Sequence, residues 1–360
     1  MKINLLLAFD HELPLGGISK TFEDAIFKPT DTLLDLAKQL NVPVNIFTDV
    51  LSAIRMKELG HEDYYIPYIH QLERALHEKH DVQLHLHPHW LETDYENGVF
   101  VHSGKFSLAD YKDNHAVGRI DDIVSKGIDF LNTICKPSDN NYKCIAYRAG
   151  GFNLAPETRA ILNALYKYGI RIESSINPGF YYKTRFVSVD YSSMPDLSHW
   201  YFSPDGPVDK ITDQGMMEIT IAGKPAGLIT NLNHVIRKKQ FKSRRYSAGS
   251  AIHEGKMSPV DKLRFVFSNR LLGFDVYTLS SDNLMDILKY NIGKYQNREA
   301  LPGGREEIVL STLSHPKNMG RYGFLIMKEF IEKARLYYKD KITFTTYQAM
   351  YKHFFEDKQP

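Results

Sequence analysis

The segment Val82-Gln83-Leu84-His85-Leu86-His87-Pro88-His89-Trp90 begins as an apolar run and continues with three histidines at alternate positions. The run from Val82 to Leu86 predicts a buried strand. In an extended chain His85, His87 and His89 point to one side, and in a helical turn His85 and His89 share a face. Two imidazoles can therefore meet one metal ion in either conformation. The segment predicts a strand that ends at a metal site.

Short apolar runs and longer amphipathic stretches alternate on both sides of this segment. This alternation predicts β/α units around a parallel sheet or barrel, and therefore the α/β class. From about 181 to 255 the pattern breaks into short β-like pieces and loops, which predicts an irregular insertion. Because no repeat, low-complexity tract or linker interrupts the sequence, we expect residues 1–360 to form a single domain. The predicted strands are 3–9, 42–47, 82–86, 144–147, 171–175, 308–313 and 342–346, and the predicted helices are 30–40, 66–80, 117–134, 156–168, 282–295 and 323–338.

The overall composition is that of a soluble globular protein. Charged residues make up 24% and hydrophobic residues 43% of the 360 residues, and the formal net charge is +2. This balance argues against a disordered chain and gives no indication of a nucleic-acid partner. The first apolar run, 3–9, is too short to span a bilayer, and Asp10, His11 and Glu12 follow it where a signal peptide would have its small-residue cleavage site. We therefore expect a cytoplasmic protein.

The two cysteines restrict the kind of metal site. Cys135 and Cys144 form no Cys-x-x-Cys pair, which argues against a disulfide framework and against a thiolate zinc site. Any metal must then be held by histidine and carboxylate. Glu12 with two of the three histidines would leave open positions for water, which is typical of a catalytic zinc site. The competing interpretation is that each histidine is an ordinary surface or core residue.

Other side chains suited to chemistry come directly after predicted strands. Asp10 and Glu12 follow the first strand, Asp49 the second, Arg148 the fourth and His315 a later one. All parallel strands of a β/α barrel end on the same face, so we expect these residues to converge. One carboxylate of the first pair can bind the metal while the other takes a proton from water. Arg148 could orient a catalytic carboxylate, the two glycines after it would let backbone N–H groups approach a substrate oxygen, and His315 could be a general acid. Taken singly, these residues also fit a loop acid, a solvated arginine and a loop histidine.

Two weaker features bear on partners. The basic run 237–245 is either a solvated loop or a contact for the phosphates of a nucleotide-linked or lipid-linked sugar, or for an anionic membrane surface. Trp90, Trp200 and Tyr201 either stack on sugar rings or pack in the core.

The ordered series of motifs resembles that of the polysaccharide deacetylases, the NodB-like carbohydrate esterase family 4, and especially its divergent branch among surface-polysaccharide biosynthesis proteins. The series covers most of the chain, which makes it more specific than any single motif. The matching segments are Phe9–Glu12 for a Thr-Phe-Asp-Asp-like segment, His85–His89 for a His-x-x-x-His metal motif, Tyr147–Phe152 for an Arg-Pro-Pro-Tyr-like turn, Arg171–Ser175 for a Tyr-Asp-Ser-Ser-like stretch, Leu313–Pro316 for a Leu-x-His motif and Ile342–Tyr347 for a closing strand with Phe-x-Thr.

The resemblance implies a distorted (β/α)7-type barrel and an activity that removes an N-acetyl or other acyl group from a sugar or polysaccharide precursor. By the same resemblance Asp10 is the base and His315 the general acid, both acting on a metal-bound water. Glu12 and two of the three histidines would hold a divalent metal, with zinc expected and cobalt or nickel as alternatives. Arg148 would hold Asp10.

The sequence departs from the family pattern in three places. Glu12 lies two positions after Asp10 instead of one, and His87 and Pro88 stand where the family usually carries Ser or Thr. The third motif lacks proline. Whether His85 pairs with His87 or with His89 therefore stays open. Two other functions also stay open: a non-catalytic sugar-binding or scaffold protein of polysaccharide assembly, and a metal-dependent amidohydrolase that acts on a small non-sugar amide.

Overall fold

The structure is a computed structural model that describes residues 1–113, 116–183, 188–227, 232–233, 236, 249–250, 270–276, 279–296 and 307–357. Its strands are β1 (Lys2–Leu6), β2 (Ala8–His11), β3 (Gly17–Ile18), β4 (Asn45–Asp49), β5 (Asp81–Leu86), β6 (Asp94–Glu96), β7 (Val99–Val101), β8 (Ala146–Ala149), β9 (Ile172–Glu173), β10 (Tyr181–Lys183), β11 (Ser188–Asp190), β12 (His199–Phe202), β13 (Ile211–Thr212), β14 (Met216–Ile219), β15 (Gly223–Ala226), β16 (Gly249–Ser250), β17 (Arg270–Gly273), β18 (Glu307–Ser311) and β19 (Ile342–Phe344).

Helices alternate with these strands. The α-helices are α1 (Lys28–Leu40), α2 (Val50–Glu58), α3 (Glu62–His77), α4 (Ile120–Cys135), α5 (Thr158–Lys167), α6 (Ser281–Gln296), α7 (Arg321–Tyr338) and α8 (Tyr347–Tyr351). Short 3-10 turns include Pro88–Glu92, Gly150–Phe152 and Pro316–Asn318. Within the described ranges, none of the helices has both the length and the hydrophobicity that crossing a bilayer requires.

Local sequence explains where the first units begin and end. Helix α1 buries Leu33, Leu34 and Ala37 on one face, as its apolar spacing predicts. It ends at Asn41, which adopts the left-handed conformation with φ 50° and donates its N–H to the last turn. The next strand, β4, is buried at every position, and so is β5. Continuous burial is expected of parallel strands that are covered on both faces.

The described strands form five sheets, and the parallel strands belong to two of them. The larger sheet has the order β13-β12-β14-β9-β8-β5-β4-β2, in which β14 through β2 run parallel and β12 and β13 are antiparallel additions at one edge. The smaller sheet has the parallel order β18-β1-β19. The α/β class and the mostly parallel sheet are therefore as the sequence predicts.

The two sheets meet at isolated bridges instead of continuous ladders. Phe9 pairs with Ser314 on one side and Ile221 with Ser311 on the other, both in parallel. Only one residue separates β1 from β2, so the chain itself also joins the sheets. In the described residues, continuous hydrogen-bonded strand pairing around the implied barrel is thus interrupted at two places. These two interruptions are what makes the barrel distorted.

A buried cluster fills the space between the strands of the two sheets. It contains side chains from β1, β2, β4, β8, β9, β14 and β18, together with residues of α8 and the turn that follows it. Its members are Leu6, Ala8, Phe47, Ile145, Ala146, Ile172, Met217, Ile219, Val309, Tyr347, Met350 and Phe354. Because both sheets contribute, they share one interior, and the carboxyl ends of their parallel strands open on the same face.

The predicted irregular insertion at 181–255 contributes three strands to the larger sheet, of which β14 alone continues its parallel part. Strand β14 is buried at all four positions and pairs in parallel with β9. Its shortness and the short antiparallel strands β12 and β13 just before it hide this unit in the sequence pattern. The remaining described part of the segment consists of short antiparallel pairs, in agreement with the prediction.

Candidate active site

The acids at the end of β2 point to the same side of the chain. Because side chains alternate along a strand, Asp10 and Glu12 share one side and His11 takes the other. Both acids are buried. The ring nitrogens of His11 lie 2.9 Å from Thr48 Oγ1 and 2.9 Å from Gln71 Oε1. The two-residue spacing that departs from the family motif therefore brings both carboxylates to one place.

Glu12, His85 and His87 form a buried group of candidate metal ligands. Glu12 Oε2 lies 3.1 Å from His85 Nε2 and 3.3 Å from His87 Nε2. One ligand atom from each residue lies within 4.8 Å of the other two. Among the residues that the structure describes, this is the one such group found. Two imidazoles and one carboxylate are a donor set that suits zinc and related divalent metals.

Hydrogen bonds behind each ring determine which ring nitrogen faces Glu12. His85 Nδ1 lies 2.8 Å from the Arg148 carbonyl oxygen, which can only accept, so Nδ1 donates. His87 Nδ1 lies 3.2 Å from Asp49 Oδ2, and the carboxylate likewise accepts. Without a metal, a proton on Nε2 can join a ring to Glu12 Oε2. When the rings are neutral, as metal binding requires, both Nε2 atoms direct lone pairs toward the place that Glu12 Oε2 also faces, so the donor set fits a divalent metal.

The charges around this group also favour a cation. Burial alone would lower the pKa of His85, but the negative charges of Asp10 and Glu12 outweigh burial and raise that pKa to about 9. Burial alone would raise the pKa of Glu12, but Lys317 and His87 hold it well below its usual range. Metal ions and protons compete for such ligands, so metal binding here should release a proton.

Asp49, the last residue of β4, supports His87 from behind. Its Oδ2 accepts hydrogen bonds from His87 Nδ1 and from Trp90 Nε1, the latter at 2.6 Å. Its Oδ1 accepts the His87 backbone N–H at 3.3 Å. Carboxylates in this position fix the tautomer and the orientation of a metal-binding histidine. Asp49 was noted in the sequence because of its position at the end of a predicted strand. Nothing in the sequence indicated that it would support His87.

His89 lies outside the metal group. The 3-10 turn Pro88–Glu92 begins directly after the extended His87 and turns the chain away from the direction of β5. The His89 ring packs against the rings of His102 and Phe106, with centroid distances of 4.5 and 4.9 Å. Burial lowers its pKa well below the usual value, and neither ring nitrogen has a hydrogen-bond partner among the described residues. The structure therefore places His87, and not His89, beside the other two candidate ligands.

Arg148 is fully buried and holds Asp10. Its Nη1 donates to Asp10 Oδ1 at 2.7 Å. The guanidinium also donates to Ser174 O and Ser311 Oγ, each at 2.9 Å, and its Cζ lies 4.2 Å from the centroid of the Phe47 ring. Such a set of contacts fixes both the arginine and the carboxylate it binds. One Asp10 oxygen is thus occupied, and the other lies 3.8 Å from His315 Nε2.

His315 and Lys317 approach Glu12 from the chain that follows β18. His315 Nε2 lies 3.3 Å from Glu12 Oε1 and 3.8 Å from Asp10 Oδ2. Lys317 Nζ donates to the same Glu12 oxygen at 2.7 Å. The His315 side chain is 22% exposed, compared with 3% for Asp10, so it faces the open side of the site. Lys317 is not among the site residues predicted from the sequence. The only sequence feature that points to it is its position two residues after His315.

The aromatic residues that the sequence singled out have structural roles. Trp90 is fully buried and donates to Asp49, and Trp200 is buried and donates its Nε1–H to a backbone carbonyl. Neither indole presents a face to a ligand, so the sugar-stacking interpretation is wrong for both. Tyr201 donates its hydroxyl hydrogen to the Phe354 carbonyl.

Gly150 allows close packing beneath the site. A Cβ atom at this position would lie 2.6 Å from His87 Cδ2 and 2.6 Å from the Leu86 carbonyl oxygen. Glycine therefore lets the turn after β8 pack directly on the His87 ring.

Two other sequence predictions are not tested by the structure. The expected approach of backbone N–H groups to a substrate oxygen stays a prediction. The basic run 237–245 lies outside the described residues.

Comparison with known proteins identifies solved structures of similar fold. No protein-family model matches the sequence, and no curated protein matches it. Among solved structures, the chain is similar to a GH57-type branching enzyme from Pyrococcus horikoshii, with a TM-score of 0.51 and 10% identity over 100% of this chain and 71% of that one. The two proteins share a fold.

Two further similar structures are described as polysaccharide deacetylases. One is from Mycobacterium smegmatis, with a TM-score of 0.49 and 12% identity over 100% of this chain and 92% of that one. The other is from Pseudomonas aeruginosa PAO1, with a TM-score of 0.46 and 13% identity over 99% and 93%.

Proposed function

We propose that this protein is a metal-dependent hydrolase that removes an N-acetyl or other acyl group from a sugar or polysaccharide precursor. The α/β fold and the buried Glu/His/His group support a hydrolase of this general kind. The ordered sequence motifs support the sugar substrate. Zinc is the metal we expect, because two imidazoles and one carboxylate with open positions are typical of catalytic zinc.

One observation carries the proposal: a carboxylate and an imidazole flank the candidate metal group on the open face. Asp10 Oδ1 is held by Arg148, which leaves Oδ2 as the free oxygen, and His315 Nε2 lies 3.8 Å from that oxygen. His315 also lies 3.3 Å from Glu12 Oε1. The proximity of Asp10, His315 and Glu12 supports the proposal that a base, an acid and metal ligands act together here.

The residues can divide the work of hydrolysis. A divalent metal held by Glu12, His85 and His87 would acidify a water molecule and polarise a carbonyl oxygen. Asp10 Oδ2 is placed to take a proton from the attacking water, since Arg148 fixes the carboxylate. His315, the more exposed group, is placed to give a proton to the departing amine. Asp49 keeps His87 in the tautomer that ligation requires.

The test combines metal content with amine release. Protein purified without chelator should contain one equivalent of metal, measured by inductively coupled plasma mass spectrometry. It should also release amines from a panel of N-acetylated sugars. Asp10→Asn should keep the metal and lose about 100- to 10,000-fold in kcat, as expected when a general base is removed. His85→Ala should lose the metal itself. Wild-type protein without metal, or full activity in Asp10→Asn, would contradict the proposal.

A further inference from the structure

Lys317 is bound in place at two points beside the candidate metal group. Its Nζ donates to Glu12 Oε1 at 2.7 Å and to the Leu13 carbonyl oxygen at 3.0 Å. The lysine side chain is 11% exposed and that of Glu12 is 10% exposed. Lys317 belongs to the 3-10 turn Pro316–Asn318, directly after His315 and Pro316. Both anchors lie on the segment that follows β2, so the ammonium has a defined place.

The two oxygens of Glu12 have different partners. Oε2 faces His85 Nε2 and His87 Nε2 at 3.1 and 3.3 Å. Oε1 faces Lys317 Nζ and His315 Nε2 at 2.7 and 3.3 Å. Because Lys317 occupies Oε1, the carboxylate offers a metal one oxygen instead of two.

The ammonium also changes the charge of the site. The carboxylates next to the candidate metal group are Asp10, Glu12 and Asp49, and the arginine and lysine that contact them are Arg148 and Lys317. With these five groups ionised and the histidines neutral, as metal binding requires, this set carries one net negative charge. Without Lys317 it would carry two. Coulomb interactions are weakly screened in a buried site, so one unit of charge strongly affects the binding of a dication.

We propose that Lys317 sets the metal affinity of the site, by holding one oxygen of Glu12 and by opposing the positive charge of the ion. The inference rests on the proposed metal-dependent function and extends it. Lys317 acts here through Glu12 and is a positioning residue. With Lys317 present, the site should bind a divalent ion less tightly than Glu12, His85 and His87 would bind it without the lysine.

The experiment compares dissociation constants for Zn²⁺ and Co²⁺, measured at pH 7.5 by competition with a chromophoric chelator. Lys317→Met removes both the charge and the hydrogen bond, whereas Lys317→Gln removes the charge and keeps a donor for Glu12. Both should bind metal at least tenfold more tightly than the wild type. Lys317→Arg keeps the charge and should stay within threefold. Lys38→Met, which removes an exposed lysine of the outer helix α1 that pairs with Glu78, is the matched surface control and should have no effect.

Each outcome decides the question. Tighter binding in both neutral variants, with no change in the arginine and Lys38 variants, supports the inference. Unchanged or weaker binding in Lys317→Gln overturns it, because that variant retains a group that can hold Glu12. Circular dichroism of the metal-free variants shows that they fold. A wild-type protein that binds neither metal would instead defeat the proposed function.

Discussion

The buried pair of Asp10 and Arg148 should be strongly coupled in stability. Arg148→Met removes the bond to Asp10 Oδ1 as well as those to Ser174 O and Ser311 Oγ. It leaves the Asp10 carboxylate, which is 3% exposed, without its cation. Breaking a buried ion pair by removing one partner typically costs about 3–5 kcal/mol. We expect Arg148→Met to lower the free energy of unfolding by this amount.

Asp10→Asn should cost less, because the arginine keeps its bonds to Ser174 and Ser311 and the amide oxygen can still accept. A hydrogen bond to a charged group contributes about 1.5–3 kcal/mol, which is the expected cost. The double variant should lose less stability than the sum of the two single losses. Once residue 10 is neutral, the loss of Arg148 no longer leaves a buried carboxylate charge unpaired. The expected coupling is roughly 1–3 kcal/mol.

The assay is urea unfolding of the metal-free protein, followed by circular dichroism. Chelator must be present, because a metal that binds the native state stabilises it by mass action and would mask the pair. Effects of the two substitutions that add to within about 0.5 kcal/mol would refute the reasoning. So would a cost below about 1 kcal/mol for Arg148→Met.

Four further substitutions test the assigned contacts. Asp49→Asn should weaken Zn²⁺ binding by about 10- to 100-fold in chelator competition, because it disturbs the orientation of His87. His89→Phe should leave the metal stoichiometry at its wild-type value, whereas His87→Ala should abolish it, both measured by metal analysis. Burial lowers the pKa of His11 to about 4 from 6.5, so the unfolded chain takes up a proton before the folded one does, and stability should fall as pH drops from 6.5 toward 4. His11 should contribute about 3 kcal/mol of this loss in metal-free protein, measured as the difference between wild type and His11→Gln in urea unfolding at pH 7.5 and 4.5.

Much of the site could be predicted because it depends on strand ends. Asp10 and Arg148 lie at the carboxyl ends of buried strands and His315 follows one. Parallel strands bring their ends to one face regardless of distance along the chain. The spacing of Asp10 and Glu12 also follows from local geometry, since side chains two apart on a strand share a side.

The choice of the second histidine could not be predicted from the segment. An extended chain would align His85, His87 and His89, but Pro88 starts a 3-10 turn there. That turn places His89 among aromatic rings that come from the following loop. The outcome depends on tertiary packing, which the alternation of residues does not contain.

Long-range contacts account for the other omissions. Lys317 reaches Glu12 near the opposite end of the chain, and no local pattern encodes that pairing. The burial of Trp200 follows from the antiparallel pairing of β12 with β14, a pairing hidden in a segment without regular periodicity.

Helix α2 was not predicted for a local reason. It begins at Val50, directly after β4, and because no loop separates the two elements, little in the sequence marks where the helix starts.

The central claim is that Glu12, His85 and His87 bind one divalent metal. A crystal structure of the zinc-loaded protein with anomalous data at the zinc edge tests it most directly. We expect one strong anomalous peak at about 2.0–2.2 Å from His85 Nε2, His87 Nε2 and Glu12 Oε2, the distances usual for zinc. A peak ligated by His89 instead of His87, or no peak at these residues in protein that contains stoichiometric zinc, would contradict it.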